Sequence, residues 1–184
     1  MEYSMGKAIG LATGIIFGLI ICYIAFKRLN NDHKVKSEYD ERQRLIRGRS
    51  YMFAFYGTII AEAIMMCLSM GGVFEGLPIP DYVYHFFSMF VGLIVLIIHS
   101  VWNGAYWGLN NNIKRYTLTF IFLFIFNLIP FMGFFKEGIQ IQNGVIVNFP
   151  FMNFFVIIMM IVLAVCLLAK KRIDNMEEGR EDCL

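Results

Sequence analysis

Tyr39-Asp40-Glu41-Arg42-Gln43-Arg44-Leu45-Ile46-Arg47-Gly48-Arg49 is a dense run of charge, and it passes without a break into an uncharged segment that reaches Phe74. One carboxylate interrupts that segment: Glu62, with residues 50–61 before it and 63–74 after it. An apolar stretch of this length reads as a helix crossing a bilayer, which takes about 20 residues. A carboxylate at its middle costs roughly 2.5–3.5 kcal/mol on insertion scales if it meets hydrocarbon. The side chain is therefore expected to turn toward protein.

The rest of the chain repeats the pattern. Of 184 residues, 58% are hydrophobic and only 16% charged, against about 25% charged in a soluble domain. Residues 8–26, 82–113, 116–135 and 138–169 also lack Asp, Glu and Arg, and hold Lys nowhere. The composition predicts an all-α polytopic membrane protein, one integral domain over residues 1–184 with five spanning helices at about 5–26, 51–73, 82–102, 116–135 and 151–169. A charged cytoplasmic segment over 27–50 and a short, frayed cytoplasmic tail over 170–184 complete the domain. Basic clusters follow the first, third and fifth spans: Lys27 and Arg28 with the run above, Lys114 and Arg115, and Lys170-Lys171-Arg172. Cations mark the cytoplasmic side, so the expected threading is N-outside, C-inside. The first span lacks a preceding basic flank and a small-residue cleavage site, so it reads as an anchor. The formal net charge of +2 points to no nucleic-acid partner; the lipid bilayer is the expected surroundings. Cys22, Cys67, Cys166 and Cys183 have no metal-finger spacing and are read as free thiols packing as small apolar groups.

Within the first span Gly6, Gly10, Gly14 and Gly18 recur at every fourth residue. They share one helix face, a glycine zipper that lets another backbone approach closely. The partner is either another helix of the same chain, or a second subunit or different membrane protein.

In the charged run, Glu38 with Arg42 and Asp40 with Arg44 are acid-first i,i+4 pairs, so helix is expected from about Ser37. Asp40, Glu41, Arg42, Arg44, Arg47 and Arg49 form a candidate cytoplasmic contact, for anionic headgroups or for a partner. The run Asp40-Glu41-Arg42-Gln43, followed by Arg47-Gly48-Arg49-Ser50-Tyr51 and Ala54-Phe55, resembles the approach to the second helix in small uncharacterised polytopic membrane proteins of Gram-positive bacteria, which carry an Asp-Glu-Arg motif there. The resemblance covers a short stretch. It implies a multi-pass protein of the bacterial cytoplasmic membrane, with no activity and no functional residues to carry over.

The candidate intramembrane polar site is Glu62, Thr58, Ser69, His85, His99, Asn103 and Asn127. Tyr51, Thr58, Glu62 and Ser69 make one stripe on the second helix. His85, Ser88, Gly92, His99 and Asn103 share a face of the third, its two histidines too far apart along the axis to bind one metal ion. In the fourth helix Pro130 predicts a kink near Phe126–Asn127; the Asn127 amide either satisfies a freed carbonyl or faces Glu62. Segment 75–81 holds two prolines and reads as an external turn. Asn143-Gly144, between apolar–polar alternations, predicts a small external β-hairpin near 139–147.

No nucleophile elbow, phosphate loop, zinc or dinucleotide motif occurs. The chain is read as no enzyme, with neither cofactor nor metal. Two functions stay open: an assembly protein that contacts itself or a partner membrane complex through the first helix, or a subunit of a small-molecule or ion transporter with a site centred on Glu62. A small bundle with such a first helix is similar in architecture to the substrate-binding components of energy-coupling-factor transporters, although the Asp-Glu-Arg run is not part of their pattern.

Overall fold

A computed structural model of the chain describes residues 2–181. Among them lie five helices, α1 (Glu2–Leu29), α2 (Glu41–Met70), α3 (Tyr82–Trp102), α4 (Ile113–Glu137) and α5 (Phe151–Glu181), and a two-stranded sheet of β1 (Ile141–Gln142) and β2 (Val145–Ile146). All five helices are long and apolar enough to cross a membrane. Large apolar side chains lie exposed along them, such as Phe17 at 63%, Leu118 at 70% and Phe122 at 65%. Water rarely tolerates contiguous apolar patches of this kind, whereas lipid does.

The helices differ from the sequence expectation mainly at their ends. The charged run is no separate segment: α2 begins at Glu41 and carries Arg42 through Arg49 as its first turns. Its start lies past the expected Ser37, and Glu38 instead pairs with Lys34 at 2.8 Å. The far end falls at Met70 rather than 73, where Gly72 takes φ +72°. Gly72 N–H donates to Ser69 O at 3.0 Å and Val73 N–H to Leu68 O at 3.1 Å, the paired bonds of a Schellman stop. The expected frayed tail is helical through Glu181, with Lys170 and Asp174 paired at 2.6 Å. α1 and α4 also run past 5–26 and 116–135. One reason covers these differences: charge marks where hydrocarbon would end, while Arg, Lys, Glu and Gln are good helix formers that let the helix continue.

The chain divides into two compact units, Met1–Asp40 with Trp107–Leu118, and Glu41–Tyr106 with Thr119–Leu184. In the second unit α3 is central, with α2 and α5 packed on it. Ile97, Val101 and Leu163 form the buried core, lined by Tyr106, Phe120, Met159, Cys166 and Leu167. Cys166 thus packs as expected, whereas Cys22 and Cys67 are exposed; Cys183 lies outside the described residues. α2 and α3 run antiparallel and touch most closely where Gly92 lies against Ala54 and Thr58, and Gly57 against Val95. Buried Ser50, Ser88 and Ser100 flank this crossing. Small residues let two helices gain dispersion contacts that lipid cannot match.

α4 continues through Pro130. Asn127 donates to Leu123 O at 2.8 Å and accepts from Asn153 of α5 at 3.0 Å. Asn153, not Glu62, is therefore its interhelical partner. The hairpin forms as the Asn-Gly turn predicts: Asn143 and Gly144 take φ 51° and 79°, and Ile141 pairs with Ile146. Positive φ at both turn positions matches the twist of the strands. Ile146 N–H donates to Pro78 O at 2.9 Å, which ties the hairpin to the α2–α3 connection.

Candidate functional site

The polar residues expected to form one intramembrane site separate into three places. Glu62 Oε1 lies 2.6 Å from His85 Nδ1, in the first turn of α3. Ser88, 1% exposed, donates its hydroxyl to the Tyr84 carbonyl at 3.3 Å. At the other end of the α2–α3 pair the Ser50 hydroxyl meets His99 Nδ1 at 2.7 Å and donates to Ile46 O at 2.9 Å, while the Phe53 ring lies 5.0 Å from the imidazole. Asn103 donates back to His99 O at 2.8 Å and terminates α3. Thr58 returns its hydroxyl to Ala54 O at 3.0 Å. Ser69 is exposed in the last turn of α2. The stripe that the period of α2 suggests is real as a face, but Tyr51 and Thr58 bond within α2 and Glu62 alone of its members reaches α3.

Part of the charged run holds the end of α3. Gly104 takes φ +67°, and Ala105 N–H donates to Ser100 O at 2.9 Å. Onto this stop Arg47 donates to Ala105 O at 3.3 Å and Gln43 to Gly104 O at 3.2 Å. A cation at a helix C-terminus complements the carbonyl end of its dipole. Arg47 also donates to Tyr51 Oη at 2.7 Å. Glu41, Arg42, Arg44, Arg49 and Asp40 have exposed side chains.

The first unit contains a polar clasp that sequence reasoning missed. Asn30-Asn31-Asp32, after α1, lies against Asn110-Asn111-Asn112, before α4. Asn31 N–H donates to Asn110 O at 2.8 Å and Asn112 N–H to Leu29 O at 3.2 Å. Asn30 is fully buried; it donates to Lys34 O at 2.8 Å and accepts from Asn111 at 2.7 Å and from Tyr116 Oη at 3.2 Å. Asn110 donates to both Asp32 oxygens at 3.1 Å and accepts from Glu38 N–H at 2.8 Å. Asn112 caps α4 by accepting from Arg115 N–H at 3.1 Å, and Arg115 in turn donates to Arg28 O at 3.0 Å. The signal was present as two Asn-rich triplets after the first and third spans. Asn carries the same donor and acceptor as a peptide group, so two such triplets can pair like backbone.

Burial pushes the Asp32 carboxyl up, but the Lys34 amide, the Asn110 amide and the Lys34 ammonium outweigh it and hold the group below its usual range. A depressed folded pKa gives stability that is present above the unfolded value and lost as pH falls through the folded one. The clasp should therefore loosen below about pH 4. Amide exchange at Asn31 and Leu109 should quicken there in the native chain and lose that pH dependence in Asp32→Asn.

Within its own unit, the glycine face of α1 meets nothing: a Cβ built at Gly6, Gly10, Gly14 or Gly18 finds no atom of that unit within 4 Å. Among the described residues no three of His, Cys, Asp and Glu converge as metal ligands.

The fold and these sites define a helical protein whose five helices have the length and apolarity of membrane spans. No family model matches the chain, and neither a curated protein nor a solved structure does.

Proposed function

We propose that the chain is a multi-pass protein of the bacterial cytoplasmic membrane that acts by lateral assembly, through the glycine face of α1, with itself or with a partner membrane complex. It is threaded N-outside, C-inside, with the β-hairpin external. The observation that carries this reading is the glycine ladder of α1, which no side chain of its own unit covers. In lipid such a face gains most from a second backbone at close range. The connections support the threading. Those after α1 and α3 bond to each other, and so do those after α2 and α4, as five alternating crossings require. A transport site at Glu62 has less support, since the carboxylate is engaged by His85.

Gly10→Leu with Gly14→Leu tests the reading. Nothing in the first unit touches these positions and leucine is a better helix former than glycine, so the variant should stay folded in mild detergent. Its oligomer or co-purifying partner should disappear. Unchanged assembly would refute the proposal.

A further inference from the structure

The Glu62–His85 pair has a side that its own unit leaves open. The imidazole is 72% exposed and the carboxylate 41% exposed. Glu62 lies one turn beyond Thr58, which meets Gly92 at the α2–α3 crossing, so along the helix axes Glu62 is about 6 Å and His85 about 10 Å from that crossing. The crossing falls near the middle of both apolar segments, and hydrocarbon extends about 15 Å to either side of a bilayer's centre. In a membrane the pair is therefore within the apolar layer, toward its outer edge. Ile59 and Met66 share its face of α2, and Tyr82 and Met89 its face of α3, all four about half exposed. An ion pair ringed by apolar side chains matches the core and rim of a protein interface. Acyl chains offer such a pair neither donor nor acceptor, so a polar cover is required.

We propose that this face is the contact with a second copy of the chain, related by a two-fold axis beside the pair. With Nδ1 on Glu62, the remaining polar atom of the His85 ring is Nε2, a donor when the ring is imidazolium. Across a two-fold axis that Nε2–H meets the Glu62 carboxylate of the other copy, and the reverse contact follows by symmetry. The four groups then carry no net charge. One surface supplies both donor and acceptor, which makes it complementary to itself. This contact rests on the membrane reading above, but it is separate from the glycine face.

Cross-linking the full-length protein in native membranes tests it. With the four native cysteines replaced by serine, Met66→Cys should give an oxidant-dependent homodimer, and Ile121→Cys on the exposed side of α4 should not. Glu62→Gln should lower the Met66→Cys yield about tenfold, the scale of lost interhelical hydrogen bonds. The exchange Glu62→His with His85→Glu should restore it. Gly10→Leu with Gly14→Leu should leave it intact, which separates this contact from the α1 assembly; loss there would overturn a distinct interface. No Met66→Cys dimer, a cross-link to a different protein, or an unchanged yield in Glu62→Gln would overturn the proposal.

Discussion

Gly92→Ala should destabilise the protein by about 2–3 kcal/mol, the upper range for overpacking a close contact. The added Cβ would overlap Thr58 Oγ1 and lie 2.9 Å from the Ala54 carbonyl oxygen and 3.3 Å from Thr58 Cβ. The hydroxyl cannot simply rotate away at no cost, because it is bonded to Ala54 O at 3.0 Å. The carbonyl cannot move without shifting α2. Thr58→Ala in the Gly92→Ala background should recover part of the loss, since it removes the side-chain overlap and leaves the backbone one. Gly133→Ala in α4 is the control: nothing lies within 4 Å of that position, and better helix propensity should make it neutral or stabilising by up to about 1 kcal/mol. Denaturation in detergent micelles separates these outcomes. Equal stability of Gly92→Ala and Gly133→Ala would mean that the two helices do not approach as closely as described.

Asn30→Ala should cost about 3 kcal/mol. The residue is fully buried, and its amide joins three partners: Lys34 O, Asn111 Nδ2 and Tyr116 Oη. Each buried group left without a bond loses about 1–3 kcal/mol of hydration that nothing replaces. Asn111 retains Ser37 Oγ at 2.9 Å and Tyr116 Oη at 3.3 Å, so the total stays below the sum of three full penalties. Asn30→Asp should be no better. It keeps an acceptor for Asn111 and Tyr116 but sets a carboxylate oxygen against the Lys34 carbonyl, in a site closed to water. Hydrogen exchange at Asn31 and Asn112 reads the effect locally, and protection as in the native chain would show that the clasp does not depend on Asn30.

Both sites show where a sequence stops being informative. The recurrence of Gly6, Gly10, Gly14 and Gly18 marks a face of small residues, yet the close approach of α2 to α3 is made by Gly57 and Gly92, which form no ladder. The polar stripe of α2 is legible from its spacing. Its spacing is silent on the fact that Thr58 bonds its own helix while Glu62 reaches His85. Helix ends shifted for a related reason, since apolarity reports the solvent a segment would prefer and not the point at which the backbone stops coiling.

By itself the sequence determined what depends on neighbours along the chain: five long apolar helices, the glycine face of α1, and a hairpin turning at Asn143-Gly144. Composition, period and turn chemistry act over a few residues, so they can be read without coordinates. Only the tertiary structure decided that Glu62 meets His85, 23 residues away, and that Asn111 meets Asn30, 81 residues away. Periodicity says which side chains share a face; which face of another helix or loop arrives there depends on packing and on hydrogen bonds summed over the whole fold.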